Sequence, residues 1–220
     1  MKLVKKIIGV IVGSILMGLA VTLFINSKLG QDCVSALVIS FQNLFKLNNL
    51  SYGYTLTYYM INGILFIIMI VFLRKKIFVA TIINLLLTGV FSDIFNWIFI
   101  FIGFQSNLLI IRILFSVLAV LCMSFGVAMY AGADLGIAPY DAVPLIMQKA
   151  FPKVSYKFFR ISLDLSFALI SFIVGFLILK IESLLGLNTV ICFICLGPLI
   201  TFFSNLLNKI YYKNEEAGLK

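Results

Sequence analysis

The chain reads as long apolar runs separated by short polar breaks. Runs from about Ile7 to Asn26, Tyr54 to Leu73, Ile77 to Phe101, Leu109 to Ala131, Phe158 to Leu179 and Leu187 to Leu207 stand out. Each is close to the ~20 residues that carry a helix across a bilayer. The runs are continuous rather than alternating, and lipid admits only helices or closed barrels, so they predict helices. Two further apolar stretches, Val34 to Phe45 and Val143 to Phe151, are too short to span. They predict re-entrant or interfacial helices after spans one and four. Each follows a Leu-Gly break, Leu29-Gly30 in one case and Leu135-Gly136 in the other.

Polar residues inside the runs are patterned. In span three, Thr81, Asn84, Thr88, Ser92 and Asn96 recur every three or four positions, with Gly89 and Asp93 at the edge of their face. In lipid such a stripe must meet a partner helix or a wet cavity. Span one carries Gly9, Gly13, Ser14 and Gly18, and span four carries Ser124, Ala128 and Gly132, small faces that let another helix approach.

Composition agrees with a membrane protein and adds no soluble domain. The chain has 220 residues, 63% hydrophobic and 11% charged, with a mean hydropathy of +1.17. Soluble domains carry about 25% charged residues. The expected architecture is all-α: a polytopic protein of six transmembrane helices in one integral membrane domain, residues 1–220. The N-terminus, Lys2 to Lys6 and then an apolar run, is shaped like a signal peptide but shows no convincing cleavage site, so it reads as a retained first span.

The net charge of +9 is placed by topology, with no need of a nucleic-acid partner. With six spans and a cytoplasmic start, the inside set is Lys2, Lys5, Lys6, Arg74, Lys75, Lys76, Lys149, Lys153, Lys157, Arg160, Lys209, Lys213 and Lys220. Lys28, Lys46, Arg112 and Lys180 fall outside. Excess Lys and Arg mark cytoplasmic loops, so both termini are expected inside the cell membrane.

Sliding the sequence over itself exposes an internal repeat. Thr81, Ile83, Gly89 and Phe95 align with Thr189, Ile191, Gly197 and Phe203, and Gly18 with Gly126. The offset drifts so that Leu29-Gly30 meets Leu135-Gly136, Tyr54 meets Tyr156 and Asn62 meets Asp164. Two repeats, 7–102 and 109–208, each with three spans, would enter the membrane from opposite faces. Secondary transporters use such inverted repeats, with interrupted helices meeting at a midplane site.

The stretch Leu135-Gly136-Ile137-Ala138-Pro139-Tyr140-Asp141-Ala142, with Thr81 to Gly89 and Asp93, resembles the YitT/YczE-like integral membrane proteins of bacteria. That resemblance implies a multi-pass bacterial membrane protein whose family members mostly have no assigned substrate. The first half departs from the pattern, with Cys33 and Ser35 where the second has Pro139 and Asp141.

Candidate path residues are Asp141, Pro139, Gly136, Gly30, Asp164, Asp93, Asn62, Asn84 and Thr88. Asp141 reads either as a helix-initiating acid, favoured by the free N–H groups of a first turn, or as a proton- or cation-binding carboxylate. Asp164 lies inside span five, where an acid needs a partner; Arg160, one turn earlier, supplies one. For Asp93 the candidate partner is Arg112. Asp134 reads as interfacial, and Asp32 and Glu182 as loop charges. Cys192-x-x-Cys195 lies in a span without the setting of a reactive thiolate and reads as packing. There is no His, no nucleophile beside a base, no zinc helix and no phosphate loop, so neither an enzyme nor a metal or cofactor is expected.

These features point first to a transporter for a small molecule or ion. A membrane-embedded substrate-binding subunit needing a transporter partner, and a non-transporting scaffold or regulator, are the alternatives. Small-residue faces suit a homo-oligomer and internal packing equally.

Overall fold

A computed structural model describes residues 2–103, 108–181 and 184–212. The loop expected at 104–107, Glu182, Lys213, Lys220 and the charged tail lie outside the described residues. Eight main helices account for the apolar runs: α1 (Lys2–Ser27), α2 (Cys33–Leu44), α3 (Gly53–Leu73), α4 (Val79–Phe101), α5 (Leu109–Gly132), α6 (Pro139–Ala150), α7 (Tyr156–Ser171) and α8 (Leu187–Leu207). A π-helical stretch, Phe172–Ile178, prolongs α7, and another, Asn208–Tyr212, follows α8. Six of these helices are long and apolar enough to cross a membrane. The protein is an all-helical, multi-pass membrane protein.

The centre is a contact between α1 and α5. Gly13 and Gly126 face each other so closely that an added Cβ on Gly13 would sit 2.6 Å from the Gly126 carbonyl, and one on Gly126 2.7 Å from the Gly13 carbonyl. The small faces therefore serve backbone-to-backbone approach within the chain. The helices run antiparallel, with Arg112 near the start of α5 donating to the Ser27 and Lys28 carbonyls at the end of α1 (2.7 and 2.6 Å).

The polar stripe of α4 packs on α1, which runs parallel to it. Asn84 donates to Ser14 Oγ (3.3 Å), and Thr22 Oγ1 to the Ser92 carbonyl (2.9 Å). Gly18 fits against Phe91, Ser92 and the Thr88 carbonyl. On the other side, α8 lies along α5, where Phe125 and Phe203 meet edge to face, 5.4 Å apart.

The two Leu-Gly breaks are docked in matching ways. After α1, the Leu29 carbonyl accepts from Asn188 N (3.0 Å) and the Gln31 carbonyl from Thr189 Oγ1 (2.6 Å). After α5, the Leu135 carbonyl accepts from Ala80 N (3.0 Å) and the Ile137 carbonyl from Thr81 Oγ1 (2.9 Å). The backbone matches too: Lys28 and Asp134 have φ of 54° and 51°, and Gly30 and Gly136 have φ of 104° and 127°. Each break thus satisfies its peptide groups on the first turn of a helix from the other half. The short helices also cross over. α2 packs on α7, where Ser40 Oγ meets Ser171 Oγ at 2.9 Å, and α6 packs on α3, where Ala142 joins Met69 and Leu73.

Span boundaries fall within a few residues of the sequence reading. α2 takes its start from Asp32, whose Oδ2 accepts from Val34 N and Ser35 N (3.2 Å each). Asp32 is therefore a helix cap and not the loop charge expected. α6 begins at Pro139 and tolerates Pro144 inside it. Pro139 stands at the first helical position, where its missing N–H has no acceptor within the helix, whereas Pro144 in the second turn leaves the Tyr140 carbonyl without its helical donor.

Gly30→Ala should unfold the protein at markedly lower temperature. Its φ is left-handed, and the new Cβ would lie 2.5 Å from Gly186 N. Gly63→Ala, in mid-helix with nothing within 4 Å, should be neutral or slightly stabilising. A thermal melt of both variants in detergent checks the contrast.

Candidate functional site

α2 and α6 begin deep in the bundle, and their first turns open on a connected internal space. An inner cavity of about 100 Å³ is lined by Asp32 and Ser35 of the first half, Tyr54, Tyr58 and Asn62 of α3, and Asn84 and Thr88 of α4. A wider cavity of about 880 Å³ shares Asp32, Asp141 and Arg160 with it. That cavity extends between α7 and α8, past Asp164, Cys192 and Gly197, to Asp134 and Lys157 at the end of the bundle.

Two matching rows of side chains face this space. Tyr54, Tyr58 and Asn62 lie one turn apart on α3 and line the inner cavity. Tyr156, Arg160 and Asp164, spaced identically on α7, line the wide one. The first row is neutral and packed: Tyr54 and Tyr58 stack with ring centroids 6.1 Å apart, and Asn62 is 2% exposed. The second row is charged.

Arg160 organises the charged row. Its guanidinium pairs closely with Asp141, lies 4.2 Å over the Tyr140 ring centroid, and is 3.8 Å from Asp164. Expectation and structure differ in detail here: the i,i+4 partner Asp164 is the looser contact, and Asp141 from α6 is the tighter one. Asp141 sits in the first turn of α6, as a helix-initiating acid would, and lines the cavity. Ala138 caps that helix without a side-chain bond, and its N–H is taken by the Tyr130 hydroxyl. Asp32 caps α2 with one oxygen, while Oδ1 is enclosed with no partner among the described residues.

Of the candidate residues, Asp141, Asp164, Asn62, Asn84, Thr88 and Gly136 line the cavities. Pro139 is buried behind them, and Gly30 is spent on the contact with Gly186. Asp93 lies outside both cavities. Its expected partner is corrected: Asp93 accepts from Thr55 N (2.8 Å) and Thr55 Oγ1 (2.6 Å), while Arg112 binds the end of α1. Asp93 is thus a buried cap for the start of α3, where N–H groups need acceptors.

Sequence reasoning missed Asp32, Tyr54, Tyr58 and Tyr156 as cavity residues. The signal was available as the spacing Tyr54-Tyr58-Asn62 repeated as Tyr156-Arg160-Asp164. The four cysteines are free thiols, and no group of three His, Cys, Asp or Glu suited to a metal occurs among the described residues.

The ion pair yields a measurable coupling. Arg160→Gln should destabilise more than Asp141→Asn, because it strips the cation from two carboxylates at once. A double-mutant cycle should give about 0.5–3 kcal/mol for Arg160–Asp141, moderated because the side chains are 27% and 26% exposed. Additive variants would mean the pair contributes nothing to the fold.

No solved structure matches the chain. An uncharacterised protein of Haemophilus influenzae is 26% identical over 138 residues, covering 63% of this chain and 58% of that protein. The chain therefore aligns to less than two thirds of that relative's length. The family described as "Family of unknown function (DUF6198)" matches residues 4–205. With nearly the whole chain matched, the protein belongs to this family of unknown function.

Proposed function

We propose that this protein is a small-molecule or ion transporter of the bacterial cell membrane, built from two inverted three-span repeats that work by alternating access. In this reading both termini are cytoplasmic, following the basic loops. It keeps the YitT/YczE-like resemblance of Leu135 to Asp141, and assigns the protein no enzymatic chemistry.

One observation carries the proposal: equivalent seams in the two halves differ. Between α3 and α4, Gly89 packs against Tyr58 and Thr55, at 3.2 and 3.3 Å from an added Cβ, and Asp93 holds Thr55. Its counterpart Gly197 has no atom within 4 Å of an added Cβ and borders the wide cavity. A repeat protein whose halves exchange these two conformations would close one end of the path and open the other. The open seam lies at the end carrying Asp134 and Lys157, which the charge rule puts in the cytoplasm.

A second reading has its own support. α8 is the least buried span, with 11% of its apolar window inside the protein. A partner subunit or a second copy covering α7 and α8 would suit a substrate-binding subunit of a larger transporter.

The test needs no substrate. In a variant lacking the four native cysteines, spin labels at Lys157→Cys and Thr201→Cys report the α7–α8 distance in lipid. Exchange predicts two populations, one of them as short as the Thr55–Asp93 approach of the other half. Gly197→Leu should remove the short population and leave the melting temperature nearly unchanged, since its site is open space. A single long distance in both proteins would refute alternating access and favour the partner-subunit reading.

A further inference from the structure

We propose that the ligand of this cavity is a small organic cation, with an ammonium head held by Asp32 and Asp164. The proposal deepens the transport reading above and relies on it only for the path, not for the binding site.

The charge balance of the inner space comes first. Away from the mouth, the wide cavity is faced by three carboxylates, Asp32, Asp141 and Asp164, and one guanidinium, Arg160. Asp141 holds that guanidinium directly, and Tyr140 covers its face. Asp164 is left at 3.8 Å, beyond good hydrogen-bond distance, with a side chain 23% exposed to the cavity. Asp32 spends Oδ2 on the first turn of α2, and Oδ1 is enclosed without a partner. Two acids thus lack a full counter-charge in a wall of low polarity, an arrangement that favours a cationic guest.

The repeat supplies an internal control. The counterpart of Asp164 is Asn62, and the counterpart of Asp32 is Ala138. The first-half row and the second short helix are built in the same way without these acids. Asp32 caps α2 with one oxygen only, and α6 starts with no side-chain cap at all, so the cap accounts for one of the two oxygens and leaves Oδ1, with Asp164, available to a guest.

A further polar group points to the same guest. Thr88 is 3% exposed, lines the inner cavity with Asp32, and its Oγ1 has no hydrogen-bond partner among the described residues. A hydroxyl donates or accepts, so it suits a polar substituent on the guest's body. The remaining wall is apolar or aromatic, with Val34, Val127, Leu196 and Tyr130. Such walls suit a carbon body rather than a bare hydrated metal ion, and the Tyr faces add cation–π attraction.

Binding is measured by thermal shift on the full-length protein in detergent at constant ionic strength. The probes are ethanolamine, choline and putrescine, with sodium chloride and potassium acetate as the inorganic and anionic arms. The proposal expects saturable stabilisation by at least one amine. Asp164→Asn and Asp32→Asn should each raise the half-saturating concentration about tenfold or more, the loss of one charge-assisted contact. Both variants should fold, because Asn stands at the position equivalent to Asp164 and Asn also caps helices. Stabilisation by sodium alone, by acetate alone or by no amine overturns the proposal, as does unchanged amine binding in both variants. Amine binding without amine flux in proteoliposomes supports the ligand class while overturning transport; flux of another solute without amine binding does the reverse.

Discussion

Unpaired peptide groups cannot be left in hydrocarbon, and this fold is arranged around that constraint at two places. Where the chain breaks after α1 and after α5, several carbonyls have no helical partner. Each break finds donors on the opening turn of a distant helix, a backbone N–H and a threonine hydroxyl in both cases. The threonine is suited to the task because its oxygen also accepts from the backbone just before its helix, Phe78 N for Thr81 and Gly186 N for Thr189. One residue thus caps its own helix and anchors a foreign loop. The glycine in each break permits the left-handed turn that presents the flanking carbonyls.

Those anchors fix where the short helices start, and so create the cavity. With Leu29 to Gln31 and Leu135 to Ile137 pinned, α2 and α6 must begin inside the bundle and run outward. Their first turns bring Asp32 and Asp141 to a common space that a continuous span would have filled with side chains. The two halves then part company through a few substitutions. Tyr58 packs against Gly89 of α4, whereas Arg160 and Asp164 line an opening beside α8.

Much of this was legible in the sequence, because lipid makes spans easy to read. Run length gave six helices, and the Leu-Gly breaks with short apolar stretches gave α2 and α6. The polar face of α4 was readable as a stripe, and its burial against α1 follows from Thr81, Asn84, Thr88 and Ser92 being costly in lipid. Pairings were not readable. Nothing local tells that Asp93 meets Thr55 rather than Arg112, since both lie near the same end of the bundle. Asp32 looked like a loop charge because its value lies in the helix it caps, which is short enough to resemble a linker. The cavity itself depends on how far α7 stands from α8, a distance set by tertiary packing and not by either helix alone.

The crossed anchoring also has a consequence for how the chain is made. The break after α5 meets its partner, the start of α4, which has already emerged. The break after α1 must wait for Asn188 and Thr189, the last span to leave the ribosome. Until then Leu29 and Gln31 lack their carbonyl partners, and α2 has no α7 to lie against. The first half therefore matures last, and a nascent chain stopped before residue 187 would carry an unsealed loop at the membrane, open to quality-control proteases.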